Sequence, residues 1–330
     1  DENNQYLKLG RVRVRLDPNP FENGSMFRQE LRLRDGCVVI TGEKDGLRAT
    51  LNVWADVFHP AVHVEVEASR PVHATASYEN WRTADLDLPN NDARPRFASL
   101  GWDGYPGKVT RFKDQVDFAG NNVVFHHRNR DGSLLIDYTI RQQGLEAARD
   151  QIVNTQKGRA FGGLLRGENF VAAGTREGKY LLTPFTAWSL RSKQPSAKHH
   201  LELISHIAQT NTPAEWQTGL QQQARRLPPL EEARAKSRDW WHGFWNRSHI
   251  VIRPEKPDPA DKAWRIARNY QLFRYQLGCN AFGDYPTKFN GGNFTFDPSL
   301  VEKKRALDPD WRAGGGGSFP PPKQSPLPQP

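Results

Sequence analysis

Five carboxylate side chains in the C-terminal part of the sequence are the first candidates for chemistry. They are Asp284, Asp297, Glu302, Asp308 and Asp310. Glycoside hydrolysis usually requires two carboxyl groups, one on each side of the bond that is cleaved. None of the five stands in a context that marks a carboxyl group with a raised pKa. Most are expected to be turn, cap or surface residues, so the residues alone assign no catalytic acid or base.

Histidines are the second candidates, because imidazole is a common metal ligand. The histidines considered are His59, His63 and the adjacent pairs His126-His127 and His199-His200. Neighbouring residues of a strand point to opposite faces, so neither pair can chelate one ion as a unit. The other two lack partners at ligand spacing in the sequence. We therefore predict no metal site, and no motif indicates a cofactor.

The two cysteines, Cys37 and Cys279, are too few for a disulfide scaffold or a cysteine-based zinc site. The first lies in a strand-like run and the second near the end of a helix-like run. We expect two buried apolar thiols, with a disulfide between them as the alternative.

Aromatic residues are densest in Trp240-Trp241-His242-Gly243-Phe244-Trp245. Aromatic faces stack against sugar rings, which makes a binding site one interpretation. However, Trp241, Phe244 and Trp245 share one face of a helix, and this spacing favours packing of the helix onto the rest of the fold.

Composition excludes some classes of protein. The 330 residues include 10 Trp, 17 Phe and 8 Tyr, which indicates a folded chain. No run of 18 apolar residues exists, so we expect no membrane-spanning helix. The net charge of +9 would suit an anionic polymer, but the basic residues are scattered and no nucleic-acid-binding motif accompanies them.

The first 210 residues predict an antiparallel β-sandwich. Charged and apolar residues alternate in Arg11–Leu16 and in Val62–Glu67, as in strands with one solvated and one buried face. Asp35-Gly36 and Asp45-Gly46, between such runs, are typical of tight hairpin turns. Further strands are predicted at 121–127, 133–141, 180–190 and 198–210, whereas 82–119 is predicted to form long loops.

Helical periodicity begins shortly after residue 210. Thr212-Pro213-Ala214-Glu215 combines an N-cap threonine, a proline in the first turn and a glutamate three residues after the cap. A second helix is predicted from Pro229, then a short strand from His249 to Ile252. A third helix is predicted from Asp258-Pro259 to about Cys279. Its apolar residues lie on two sides, which predicts burial between layers, as in the wall of an α-helical barrel.

Three stretches of the sequence resemble one known family. They are Phe161–Gly167, Trp240–Ser248 and Tyr285–Asp297. Together they resemble bacterial proteins that carry domain of unknown function 5703. Those proteins are in turn similar to the inverting α-L-fucosidases of glycoside hydrolase family 95. The resemblance covers nearly all of residues 6–311.

The resemblance implies an N-terminal β-super-sandwich, a helical linker and an (α/α)6 barrel that holds the active site. In the fucosidase-like relatives, a Glu acts as general acid and an Asp positions the attacking water. A loop of the form Pro-x-x-x-x-Gly, after the first barrel helix, contributes amide groups to the sugar site. Pro286–Gly291 fits this form, with a lysine where those relatives are expected to carry an amide. The resemblance implies substrate binding by Asn290, Lys288 and Asn293, and a catalytic acid and base beyond residue 330.

These observations lead to four predicted segments. We expect a β-super-sandwich at 1–210, a helical linker at 211–258, the start of a truncated (α/α)6 barrel at 259–311, and a disordered Pro/Gly-rich tail at 312–330. The change to a Pro-rich composition after Trp311–Gly317 favours a truncated or frame-shifted product, or a fragment. In an incomplete barrel, apolar surface would be exposed.

The expected function is that of the N-terminal part of a secreted or periplasmic, glycoside-hydrolase-like protein. Its partner would be a glycan or oligosaccharide, with no nucleic acid, no membrane and no cofactor, and the incomplete barrel would leave this chain inactive. One alternative is a non-catalytic carbohydrate-binding or scaffold β-sandwich. Another is an anionic-polymer binder, whose binding would depend steeply on salt.

Overall fold

The computed structural model describes residues 9–88, 109–130, 132, 134–180, 183–252, 258 and 260–283. The strands in these ranges are β1 (Arg11–Asp17), β2 (Met26–Arg32), β3 (Cys37–Lys44), β4 (Leu47–Ala55), β5 (Ala61–Asn80), β6 (Leu86–Leu88), β7 (Val109–Arg111), β8 (Gln115–Ala119), β9 (Asn122–Arg128), β10 (Arg159–Gly167), β11 (Phe170–Tyr180), β12 (Thr183–Ser192) and β13 (Ser196–Gln209). The helices are α1 (Leu134–Gln142), α2 (Pro213–Arg226), α3 (Leu230–Arg247) and α4 (Lys262–Gly278), with a 3-10 helix at Glu146–Gln151.

Two antiparallel sheets share the 20-residue strand β5. The large sheet has the order β2-β3-β4-β5-β13-β10-β9-β8 and uses the first half of β5. The small sheet, β1-β5-β12-β11, uses the second half. Leu16 and Leu190 of the small sheet meet Leu51 and Leu201 of the large sheet in one buried apolar cluster. The predicted fold class, an antiparallel β-sandwich followed by helices, is confirmed.

The alternating pattern at the start of the chain positions β1 at one edge of the small sheet. Leu16 is 2% exposed and lies in the core. On the other face, Arg11 Nε and Arg13 Nε donate to the two carboxylate oxygens of Glu79 at 2.7 and 2.8 Å. Because the side chain of Glu79 is fully buried, these arginines neutralise an internal carboxylate.

The Asp-Gly dipeptides form the predicted turns. Asp45 and Gly46 have φ angles of 50° and 70° between β3 and β4, the positive values that a two-residue hairpin turn requires. Gly36 has a φ of 67° between β2 and β3. A Cβ atom on this glycine would lie 2.0 Å from Nε1 of Trp241, so the turn needs glycine for both its backbone and its packing.

Helix α2 covers part of the face of the large sheet that points away from the sandwich core. As predicted, Thr212 caps it, since the amide of Glu215 donates to Thr212 Oγ1 at 3.2 Å. Trp216 and Leu220 of α2 are buried against Leu164 and Ile204 of the large sheet. The large sheet is therefore packed on both faces.

Helix α3 docks onto the turn between β2 and β3 through the aromatic cluster. Trp241 is 5% exposed and contacts the turn at Gly36, and Trp245 Nε1 donates to the carbonyl oxygen of Leu33 at 2.6 Å. The prediction that this cluster serves packing is confirmed for these two tryptophans.

The strand predicted at 133–141 is wrong, because its described residues 134–141 belong to helix α1. A short run rich in Leu, Ile, Thr and Tyr does not distinguish a strand from a helix by periodicity. In the helix, Ile140 is 4% exposed, and Arg149 Nε of the following 3-10 helix donates to Asp137 Oδ1 at 3.0 Å. The helix is therefore supported by contacts that the local sequence does not reveal.

Other predicted boundaries also differ from the structure. Segment 82–119, predicted as loops, contains the short strands β6, β7 and β8; β6 pairs with β7, and β8 forms a hairpin with β9. The strand predicted at 249–252 is wrong, because these residues have no regular secondary structure. Helix α4 starts later than predicted, with Asp261 as N-cap: its Oδ1 accepts from the amide of Ala263 at 2.7 Å.

The prediction that α4 is buried on two sides is wrong for the described residues. Of its side chains, Ile266 is 66% exposed, Phe273 57% and Leu277 47%. Tyr275 packs against Trp241 of α3, with the ring centroids 4.8 Å apart. One side of α4 therefore contacts α3, while a second, apolar side remains exposed. Within the part of the chain that the structure describes, no helix has the length and apolar character needed to cross a membrane.

Candidate functional site

The site residues predicted from the sequence lie outside the described part of the chain. This holds for Lys288, Asn290 and Asn293, and for the five C-terminal carboxylates Asp284, Asp297, Glu302, Asp308 and Asp310. Their roles stay predictions. The described residues instead bring together a group that the sequence analysis missed.

His63 of β5 and His200 and Glu202 of β13 form what we call the histidine–glutamate cluster. In the antiparallel register, Glu202 pairs directly with His63. His200 precedes Glu202 by two residues, so its side chain leaves the same face of the sheet. This face points away from the sandwich core, since the neighbouring Val64 and Leu201 belong to the core cluster.

Three potential ligand atoms converge in this cluster. His63 Nδ1 lies 3.1 Å from His200 Nε2 and 3.7 Å from Glu202 Oε1. His200 Nε2 lies 3.9 Å from the same oxygen. The exposed fraction of the side chain is 2% for His63, 18% for His200 and 14% for Glu202. The cluster is thus nearly buried at His63 and reaches solvent at the other two residues.

Neighbouring side chains fix the orientation of the cluster. The ring of Trp54 stacks on the ring of His63 at 4.2 Å, and Trp54 Nε1 donates to Glu65 Oε1 at 2.6 Å. Arg166 Nε donates to Glu202 Oε2 at 2.5 Å, which leaves the other oxygen of Glu202 facing the two histidines. Glu65 also pairs with Arg234 of α3, so the helix is tied to the same face.

Burial keeps both imidazoles of the cluster neutral near neutral pH. Loss of hydration lowers the pKa of His63 from 6.5 to about 4, against the opposing effect of the Glu202 carboxylate. Burial also lowers the pKa of His200, again opposed by Glu202. A neutral imidazole offers a lone pair on one ring nitrogen, so neither histidine must lose a charge before it can bind a cation.

Two clefts lie beside α3 on this face of the large sheet. The β13 cleft, about 660 Å³, is lined by Glu65, Lys198, His200 and Arg234, among others. The β4 cleft, about 510 Å³, is lined by Asn52, Trp54, Ser237 and Arg238, among others, and shares Arg234 with the first. Planar polar and hydroxyl side chains of this kind are suited to a hydroxyl-rich ligand.

A second polar network lies inside the fold and has a structural role. The buried carboxylate of Asp114 accepts from Asn80 Nδ2 at 2.6 Å, from Arg82 at 2.7 Å and faces His127 Nδ1 at 2.9 Å. His127 is fully buried there, whereas the ring of His126 lies 4.7 Å from the ring of Trp216. The prediction that adjacent histidines point to opposite faces is therefore confirmed for this pair.

The opposite orientation of adjacent strand residues also helps to explain why the sequence analysis missed the histidine–glutamate cluster. His199 points inward and lies 2.9 Å from the carbonyl oxygen of Val72, while His200 points outward to His63, 137 residues earlier in the chain. The sequence did contain a signal. His63 and Glu65 are two residues apart in one strand, and His200 and Glu202 are two residues apart in another, so each pair lies on one face of its strand. Only the register between β5 and β13 brings the two sets together.

The cysteines are both free. Cys37 is half-buried and Cys279 is exposed, so the expectation of two buried thiols is wrong for Cys279. Although the residue as a whole is exposed, its thiol interacts with Tyr275 and is partly shielded from water, and this loss of hydration raises the pKa of the Cys279 thiol. Neither thiol is in a disulfide.

The fold and this face of the large sheet define a class of protein: an antiparallel β-sandwich on which helices dock beside polar clefts. The sequence profile of the N-terminal part of the domain of unknown function DUF5703 matches residues 1–250. The chain therefore belongs to the DUF5703 family. No curated protein matches the sequence.

Two solved structures are similar in part. A protein from the human microbiome described as a kojibiose phosphorylase has a TM-score of 0.39 and 12% identity, with 81% of this chain and 30% of that chain covered. A bacterial glucoamylase complexed with acarbose has a TM-score of 0.36 and 8% identity, with 72% of this chain and 32% of that chain covered. This chain spans about a third of the length of either protein. At these TM-scores, neither resemblance defines what this chain does.

Proposed function

We propose that this chain forms the sandwich and first helices of a glycoside-hydrolase-like protein that acts on glycans, and that α4 begins an α-helical barrel. The observation that carries the proposal is the exposed apolar side of α4. Ile266 and Phe273 are more than half exposed, although a helix in a soluble protein normally buries its apolar side. Further helices packed on α4 would cover this surface.

The contacts of α3 support the same architecture. Its stretch Trp240–Ser248 is one of the three that carry the resemblance to the DUF5703 family. Within it, Trp241 contacts both the turn at Gly36 and Tyr275 of α4. Arg274 of α4 donates to the carbonyl oxygen of Phe244 at 2.7 Å. The helix therefore works as an adaptor that fixes the first barrel helix relative to the sandwich.

The proposed sugar site rests on the family resemblance and on the order of segments in the sequence. The segment with Lys288, Asn290 and Asn293 comes directly after α4 in sequence. Because of the resemblance to the fucosidase-like relatives, we assign Lys288, Asn290 and Asn293 to substrate binding. An asparagine amide both donates and accepts hydrogen bonds, which matches the paired hydroxyl groups of a sugar.

A second candidate function is carbohydrate binding by the sandwich itself. It is favoured by the β13 and β4 clefts, whose linings combine polar and apolar side chains. In this case no helical barrel would be needed for retention of a glycan, and Lys198 and Glu65 in the β13 cleft would be the contact residues.

Binding of the intact chain to an oligosaccharide array tests the proposed function. We expect retention of α-linked oligosaccharides that persists at high salt, because hydrogen bonds and stacking to a neutral sugar do not depend on counterion release. Retention of acidic polymers alone, lost as salt rises, would instead identify a charge-driven binder. An array without any retained glycan would contradict both carbohydrate-related functions.

A further inference from the structure

The histidine–glutamate cluster has a donor set that matches a transition-metal site. Two imidazole nitrogens and one carboxylate oxygen are ligands that zinc accepts, and three protein ligands with a remaining open position are typical of zinc sites that exchange water or substrate. The same set, two histidines and one carboxylate, also binds other divalent transition ions.

The distances within the cluster are close to those that one ion would impose. In a tetrahedral site with metal–ligand bonds of about 2.0–2.1 Å, two ligand atoms lie about 3.3–3.4 Å apart. The three observed separations are 3.1, 3.7 and 3.9 Å. The side chains of His200 and Glu202 are partly exposed. Small rotations of these side chains would place all three ligand atoms at bonding distance from one ion.

Neighbouring side chains hold Glu202 and His63 in place. Glu202 uses Oε2 for the guanidinium of Arg166 and directs Oε1 towards the histidines; a carboxylate that binds metal is commonly held in this way by a second hydrogen bond. The stacked indole of Trp54 fixes the ring of His63. Since the ligands lie on two paired strands, their backbones are held rigidly.

The charged groups around the cluster carry a net negative charge, which favours the binding of a cation. Carboxylates of Glu202, Glu65 and Asp56 lie on the strands or loop around it, opposite the guanidinium groups of Arg166 and Arg234. Glu168 also acts on His200, and together these carboxylate and guanidinium groups carry two net negative charges. Their arrangement attracts a divalent ion, whereas a third arginine would repel it.

We propose that His63, His200 and Glu202 bind one divalent transition-metal ion of the zinc type, with its open coordination position towards the β13 cleft. His200 lines this cleft, so solvent or a small ligand reaches the ion from there. The ion would replace the hydrogen bond between the two imidazoles and cross-link β5 to β13. This site is distinct from the sugar site of the proposed function and does not depend on it.

The test uses Zn²⁺ alone, titrated into the metal-free intact chain by calorimetry and by equilibrium dialysis with metal analysis. The variants are His200→Gln and Glu202→Gln, with His249→Gln as the matched control, since His249 is an exposed histidine after α3. We expect about one Zn²⁺ per chain for the wild type and the control. Each ligand variant should bind Zn²⁺ at least about 100-fold more weakly than the wild type. The loss of a residue that only supports a ligand costs roughly 10–100-fold in metal affinity, and the loss of a direct ligand should cost more.

Two further readouts keep the result interpretable. Circular dichroism without metal reports whether each variant folds, and Co²⁺ in place of Zn²⁺ reports the ligands by its visible absorption bands. If His200→Gln does not fold, Glu202→Gln and the Co²⁺ spectrum of the wild type decide. Absence of saturable Zn²⁺ binding by the wild type, or equal binding by wild type and Glu202→Gln, would overturn the proposal.

Discussion

Replacement of Trp241 by alanine should separate α4 from the rest of the protein while the sandwich stays folded. Trp241 is 5% exposed and lies where three elements meet. It contacts the turn between β2 and β3 at Gly36, and its ring stacks on Tyr275 of α4 at 4.8 Å. Gly278 of α4 is also close, since a Cβ atom there would lie 2.9 Å from the Trp241 ring.

The size of the effect follows from the buried area. An aromatic side chain of this size buries about 150–250 Å², which at about 25 cal/mol per Å² corresponds to about 4–6 kcal/mol. Measured losses for tryptophan to alanine in protein interiors are about 3–5 kcal/mol. Because most of the stability of a helix in a protein comes from tertiary packing, a loss of this size should detach α4.

Hydrogen exchange followed by mass spectrometry separates the two regions. For Trp241→Ala we expect faster exchange throughout α4 and unchanged protection in β5 and β13. The matched control is Trp264→Ala, a half-buried tryptophan of α4 whose ring lies 5.1 Å from the Arg268 guanidinium carbon; its effect should be about 1 kcal/mol or less. Equal effects of the two substitutions, or loss of protection in β5 before α4, would refute the adaptor role of α3.

Three further predictions concern the sandwich. Gly36→Ala should lower the urea midpoint of unfolding more than Gly24→Ala. Both glycines have a positive φ, but only at Gly36 would the Cβ atom meet another residue. Equal midpoints of the two variants would argue against this packing. Asp114→Asn should lower the free energy of unfolding, measured by thermal unfolding, by about 3–5 kcal/mol, because it removes the charge of a buried carboxylate that pairs with the guanidinium of Arg82; a loss below about 1 kcal/mol would contradict it. Because the pKa of His63 is lowered from 6.5 to about 4 on folding, the unfolded state binds the extra proton between these pH values. Stability should then fall as pH falls through this window, by up to about 1.4 kcal/mol per pH unit, and less so in His63→Gln.

Local sequence determined the start of α2 better than it determined the identity of α1. Thr212 and Glu215 form a capping pair whose partners are three residues apart, so the signal and the contact are both local. Helix α1 contains Ile136 and Ile140 in a run that also suits a strand, and the contact that supports the helix comes from Arg149 in the next element. The capping residues therefore settled the start of α2, whereas the apolar pattern of α1 led to the wrong prediction of a strand.

The candidate site was beyond local reasoning for a similar reason. The alternation in Val62–Glu67 correctly placed His63 and Glu65 on one face of a strand. The partner His200 lies 137 residues away, and the two residues become neighbours only through the pairing of β13 with the first half of β5. Contacts of this kind depend on sheet order and register, which the alternation of apolar and polar residues does not specify.

The affinity of the intact chain for the best-retained oligosaccharide of the array, measured for site and cleft variants, tests the central claim most directly. We predict that Asn290→Ala and Asn293→Ala each weaken binding by about tenfold, the effect of one hydrogen bond of about 1.4 kcal/mol, whereas Lys198→Ala in the β13 cleft binds like the wild type. The opposite pattern, with loss in Lys198→Ala and none in Asn290→Ala or Asn293→Ala, would place the glycan on the sandwich and contradict a sugar site beyond α4.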